Sequence, residues 1–155
     1  MENTETSLIP AALLATRVAL AASFLSAVAD RFGLWGEVGT GSVAWGNFEN
    51  FLAYTGLLLW FLPASLVAIA GWVATVLEVV IAIGLLVGFR LTTVACCSGA
   101  LLLSFAISMT LATGFEAALS YSVWTAASAS FLLAAVSANH APSASTQAPI
   151  DHPAS

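Results

Sequence analysis

Apolar residues run almost without interruption through residues 10–29, 63–87, 91–113 and 117–138, and polar or turn-forming residues separate these stretches. A helix needs about 20 apolar residues to cross a hydrocarbon slab of about 30 Å, and each stretch reaches that length. The first opens on Pro10, at a position where a helix's first turn tolerates the missing N–H, and closes before the polar DRFGLWG. Gly88-Phe89-Arg90 forms a tight turn into the third run, and Gly114, Phe115 and Glu116 separate the third from the fourth. Connections this short make the last three runs antiparallel neighbours. The pattern predicts an all-α four-helix transmembrane bundle over residues 10–138, after a short cytoplasmic N-terminus, 1–9. Residues 139–155, NHAPSASTQAPIDHPAS, have no periodicity and are rich in Ala, Ser and Pro, so they are expected to be a disordered tail.

The long connection, residues 30–62, has structure of its own. In NFENFLAYTGLLLWFLP, Phe48, Phe51, Leu52, Leu58, Leu59 and Leu62 fall near helical spacing, but Glu49 and Asn50 interrupt a segment too short to span. An amphipathic helix in the interface plane is the expectation. Trp35, Trp45, Tyr54 and Trp60, with Tyr121 and Trp124 at the start of the fourth run, would form an aromatic belt on one membrane face.

Composition sharpens the membrane reading. Of 155 residues, 60% are hydrophobic and 7% charged, against the roughly one quarter charged that a soluble surface carries. The lipid bilayer is therefore the first partner. There is no lysine, and the cations are Arg17, Arg31 and Arg90, so the clustered basic charge that a nucleic acid requires is missing. Glu2 and Glu5 precede the first apolar run with no cation, the wrong sign for a cleaved secretory signal, so that run is expected to remain as a helix. Arg90 has no acidic neighbour whereas Arg31 adjoins Asp30, which places both termini in the cytoplasm and the aromatic loop outside. Cys96 and Cys97 are adjacent on a helix, where their side chains diverge by about 100°, so they are expected to be buried thiols rather than a bridge.

Small residues recur every fourth position in two runs: Ala11, Ala15, Ala19, Ser23 and Ala27, and Ala118, Ser122, Ala126, Ser130, Ala134 and Ala138. Such stripes let helices approach closely in lipid, either closing the bundle or forming a homo-oligomer.

Two charges lie deep in apolar runs, Arg17 and Glu78. Each alone would cost about 2.5–3.5 kcal/mol on insertion scales, so pairing is expected. Counted from the same face, Arg17 lies roughly 10 Å and Glu78 roughly 14 Å deep at the helical rise. Gly71, Ala74, Thr75 and Ala82 share Glu78's face, a small and weakly polar stripe suited to another helix. The pair reads either as a structural clamp or as the polar floor of a ligand pocket, with Asp30, Arg31, Trp45 and Asn50 at its outer mouth.

The Arg early in the first run, the Glu in the second and the Gly88-Phe89-Arg90 turn together resemble the DoxX family of small bacterial membrane proteins. DRFGLWG and VAWGNFENF look like a subgroup of it, and the likeness covers residues 16–133. The resemblance implies a four-helix bundle in the bacterial inner membrane, connected with membrane oxidoreductase complexes, and a subunit that docks a quinone or a soluble redox partner or other membrane subunit. Where the wider family often carries a Lys after the first span, this chain has Asp30-Arg31. A small transporter or lipid-binding bundle, or a purely structural assembly subunit, fits the same residues. His140 and His152 lie in the tail and no ligand cluster has metal spacing, so no metal site and no haem or iron–sulfur cofactor is expected; a quinone is the cofactor left open. Two charges without a nucleophile, a metal or a poised base define no reaction.

Overall fold

A computed structural model describes residues 2–139 of the chain, with side chains from Leu8 onward. These residues form six helices and no strand: α1 Glu2–Arg31, α2 Phe48–Leu58, α3 Ala64–Val87, α4 Leu91–Thr113, α5 Phe115–Ser120 and α6 Val123–Asn139. The second and third apolar runs become α3 and α4 at the expected boundaries. Pro63 stands as the N-cap of α3, and Gly88 closes it in the left-handed conformation, φ 77°, with its N–H donating to Gly84 O. The first and fourth runs differ from expectation. α1 carries Pro10 inside it and begins at Glu2, so the proline neither starts the helix nor stops it. The fourth run is two helices, broken at Tyr121 and Ser122, where Ser122 takes φ 56°.

Three helical segments are long and apolar enough to cross a bilayer, Leu8–Arg31, Ala64–Val87 and Leu91–Thr113; α6, at 17 residues, is a shorter apolar helix. The expected tail lies outside the described residues beyond Asn139, which ends α6, and so do His140 and His152.

α1 lies antiparallel to α3, and α4 antiparallel to α6, with α3–α4 and α1–α6 contacts closing the bundle. The central cluster joins Leu20, Ala21 and Phe24 of α1 to Ile81, Ala82 and Leu85 of α3, Ala95 of α4, and Leu133 and Ala134 of α6. Along the α4–α6 seam the inner residues are small. Ser98 Oγ and Ser130 Oγ lie 2.9 Å apart, and a Cβ on Gly99 would come within 2.7 Å of the Phe131 ring. Bulky side chains point outward instead: Ile69, Trp72, Val73, Val76, Leu77, Val80 and Ile83 of α3 are all exposed. Lipid tails are as apolar as these side chains, so this face needs no protein cover in a bilayer, while close approach falls to Gly, Ala and Ser.

Two expectations about faces change. In α6 the small stripe is internal at Ser130 and Ala134, but in α1 Ala11, Ala15, Ala19 and Ser23 are exposed. The α1 stripe lost the inner face because Leu20, Ala21 and Phe24 fill the bundle centre there. Cys96 and Cys97 are free and exposed rather than buried, since Ala95, Ser98 and Gly99 occupy the inner face of α4.

Candidate functional site

Glu78 is 1% exposed. Its partner is Arg31, not Arg17. Arg31 Nη2 donates to Glu78 Oε1 at 2.7 Å, and Arg31 Nη1 donates to Thr75 Oγ1 at 2.8 Å. The Thr75 hydroxyl in turn donates to Gly71 O at 2.8 Å. Phe51 of α2 covers the guanidinium, with its ring centroid 3.9 Å from Cζ, and the Trp45 ring stands 5.5 Å away. The planar cation is thus bonded in its plane and stacked on its face, a combination open to arginine and closed to lysine.

Arg17 instead serves the end of α3. Its Nε donates to Leu85 O at 2.8 Å and its Nη2 to Leu86 O at 3.0 Å. The last carbonyls of a helix have no partner within it and carry the negative end of the helix dipole, so a cation there satisfies both. Gly88 makes room for it, since a Cβ at that position would lie 2.6 Å from Arg17 Nη2. The expected Arg17–Glu78 pair rested on aligning Pro10 with Val87. Because α1 runs on through Pro10, Arg17 arrives beside Leu85 and Leu86, and the helix's last residue, Arg31, arrives beside Thr75 and Glu78.

The residues expected at a pocket mouth are brought together as a closed joint. Asp30, 6% exposed, accepts the N–H groups of Ala44 at 2.9 Å and Trp45 at 3.2 Å on Oδ2, and that of Gly46 at 3.1 Å on Oδ1. One carboxylate therefore folds the far end of the glycine-rich loop back onto the end of α1. Gly33 and Gly46 permit the approach, both with left-handed φ, and a Cβ on Gly33 would sit 2.8 Å from Gly46 O. Asn50 is exposed, and its Nδ2 donates to Trp45 O at 2.8 Å. The Asn47 side chain caps α2 by accepting from Asn50 N at 2.8 Å.

The 48–58 segment, expected to lie as an interfacial helix, packs its Phe51 and Thr55 inward. Its first turn joins an aromatic cluster in which Phe48 lies 4.3 Å from Trp72 and 5.7 Å from Phe32. On the stripe named around Glu78, Gly71 takes Leu52 and Phe51 of α2 against its backbone, Thr75 takes Arg31, Ala82 enters the core, and Ala74 is half-buried. The aromatic residues share the end where α1 and α4 finish: Trp45 is 6.2 Å from Tyr54, Tyr54 faces Thr113 and Tyr121, and the Trp124 indole donates to Thr110. Burial pushes the Tyr54 phenol above its ordinary range; neighbouring Tyr121 adds to the shift, and the bond to Thr113 opposes it.

A groove of about 440 Å³ lies along this loop, lined by Ser26, Trp35, Thr40, Gly41, Ser42 and Val43 rather than by Arg31 or Glu78. Among the described residues no three His, Cys, Asp or Glu side chains converge as a metal site. Sequence reasoning weighed only cations inside apolar runs and so missed Arg31 as the partner. The available signal was that Arg31 stands at the end of the first run, a position from which a long side chain can turn inward to a neighbouring helix.

Fold and site together define a multi-pass membrane protein with a buried arginine–glutamate pair. No family model, curated protein or solved structure matches the chain.

Proposed function

We propose that the chain is a DoxX-like subunit of the bacterial inner membrane that docks a quinone or a redox partner at its aromatic end, and that Arg31–Glu78 is the internal lock of that end. The observation that carries the lock is the enclosure of the pair, whose side chains are 3% and 2% exposed. A lock needs contact and does not need access. Arg31 lies where α1, α2 and α3 meet, so its bonds set the register of α1 on α3 and seat α2 over both. α5 and α6 together supply the fourth crossing of the bundle. Arg17 and Arg90 mark the opposite, cytoplasmic end, where α3 finishes and α4 begins, in keeping with the retention of positive charge on that side. The exposed rings of Trp35, Trp60 and Phe61 at the outer end suit a membrane-interface belt bordering the docking surface.

Two measurements separate this from the transport reading. Quinone or a flavoprotein co-purifying with the detergent-solubilised protein is the expected result, and it should survive the apolar double substitution Arg31→Met/Glu78→Leu. Solute flux into proteoliposomes that hold this chain alone, abolished by that double substitution, would replace docking with a translocation path.

A further inference from the structure

The Arg31–Glu78 contact is incomplete as a pair. It joins Nη2 to Oε1, and the second oxygen of the carboxylate, Glu78 Oε2, and the remaining guanidinium nitrogen, Arg31 Nε, are buried with no hydrogen-bond partner among the described residues. Buried polar atoms are almost always satisfied, and each exception calls for an explanation. Ordinary chemistry would close these two on each other, since an arginine and a carboxylate commonly share two parallel bonds. Here that second bond is not made, while Nη1 goes to Thr75 and Phe51 stacks on the guanidinium face. Nε–H can only donate, and an ionised Oε2 can only accept.

We infer that one hydroxyl group sits between them, accepting from Arg31 Nε–H and donating to Glu78 Oε2. Both atoms are two covalent bonds from the 2.7 Å contact, which keeps them in one small neighbourhood beside it. The chemistry specifies a neutral guest that both donates and accepts through one atom. An ether or ketone oxygen lacks the donor that Oε2 requires, an amine cation would oppose the guanidinium, and an anion would oppose the carboxylate. Two sources carry a hydroxyl to this depth: water, and an alcohol or phenol dissolved in the bilayer. The pair is enclosed as it stands, so either would enter past the Phe51 and Trp45 rings that cover it at the joint between α2 and the end of α1.

The chain's composition makes the test tractable. With three cationic side chains, all arginine, a ¹⁵N-arginine sample has three Nε resonances, and that of Arg31 is the one in contact with the Phe51 ring. The experiment is solid-state NMR on the full chain in lipid bilayers, labelled with ¹⁵N-arginine and ¹³C-glutamate, recorded alone and with 4-hexylphenol or its methyl ether, 4-hexylanisole. The expected result is an exchangeable hydroxyl proton in contact with both Arg31 Nε and the Glu78 carboxyl carbon. If that proton is water in all samples, water is the guest. If the phenol proton takes its place and the anisole leaves it unchanged, the guest is a lipid-phase hydroxyl. No proton in contact with both atoms overturns the inference. The inference rests on the lock for the Arg31–Glu78 contact itself, and a missing Arg31 Nη–Glu78 Cδ contact in the same spectra would report failure of the lock separately.

Discussion

Replacing Glu78 with leucine removes the acceptor for Arg31 Nη2 and leaves a guanidinium that is 3% exposed with Thr75 Oγ1 as its remaining hydrogen-bond partner among the described residues. Breaking a buried pair by removing one member costs about 3–5 kcal/mol, because the other charge stays buried and unpaired. Arg31→Met does the same to Glu78 from the other side. Removing both charges together leaves neither stranded, and apolar replacement of a whole buried pair is near neutral or stabilising by about 1–4 kcal/mol. The double variant Arg31→Met/Glu78→Leu should therefore be more stable than either single variant, though it carries more changes. The assay is reversible unfolding in mixed micelles with an increasing denaturing-detergent fraction, followed by tryptophan fluorescence; Trp45, 5.5 Å from the guanidinium, is a local reporter. The magnitude discriminates, since an ordinary hydrogen bond between membrane helices averages about 0.6 kcal/mol. Single variants that each cost less than about 1 kcal/mol, or whose costs simply add in the double variant, would refute the assignment of Arg31–Glu78 as the lock.

Asp30→Ala strips the acceptor from three backbone N–H groups, so hydrogen exchange at Ala44, Trp45 and Gly46 should accelerate by about 10- to 100-fold, corresponding to about 1–3 kcal/mol, with Asp30→Asn falling between. Arg17→Met leaves the carbonyls of Leu85 and Leu86 without their donor and should lower stability by about 1–2 kcal/mol, with Arg17→Lys restoring part of it in the same unfolding assay. Gly99→Leu forces a side chain into the Phe131 ring and should cost about 1–3 kcal/mol by overpacking the α4–α6 seam, whereas Cys97→Leu on the exposed face of α4 should leave the unfolding midpoint in place.

Helix class and most boundaries were legible along the chain because they depend on local properties. Continuous apolar runs make helices and Gly88 ends one, and each of these is decided within a few residues. The need to pair Glu78 was legible for the same reason, since a carboxylate in an apolar run is costly wherever the run packs. Which cation answers it was not. That choice depends on how far α1 slides along α3, and the slide was set by continuation of the helix through Pro10, by the bulk of Leu20 and Phe24 in the bundle centre, and by α2 folding back to put Phe51 on the guanidinium. The outward turn of the α1 small-residue stripe has the same origin. Periodicity names a face but not the neighbour that will claim it. Only the packed structure, where every element competes for the same interior, could hand Glu78 to Arg31 and send Arg17 to the end of α3.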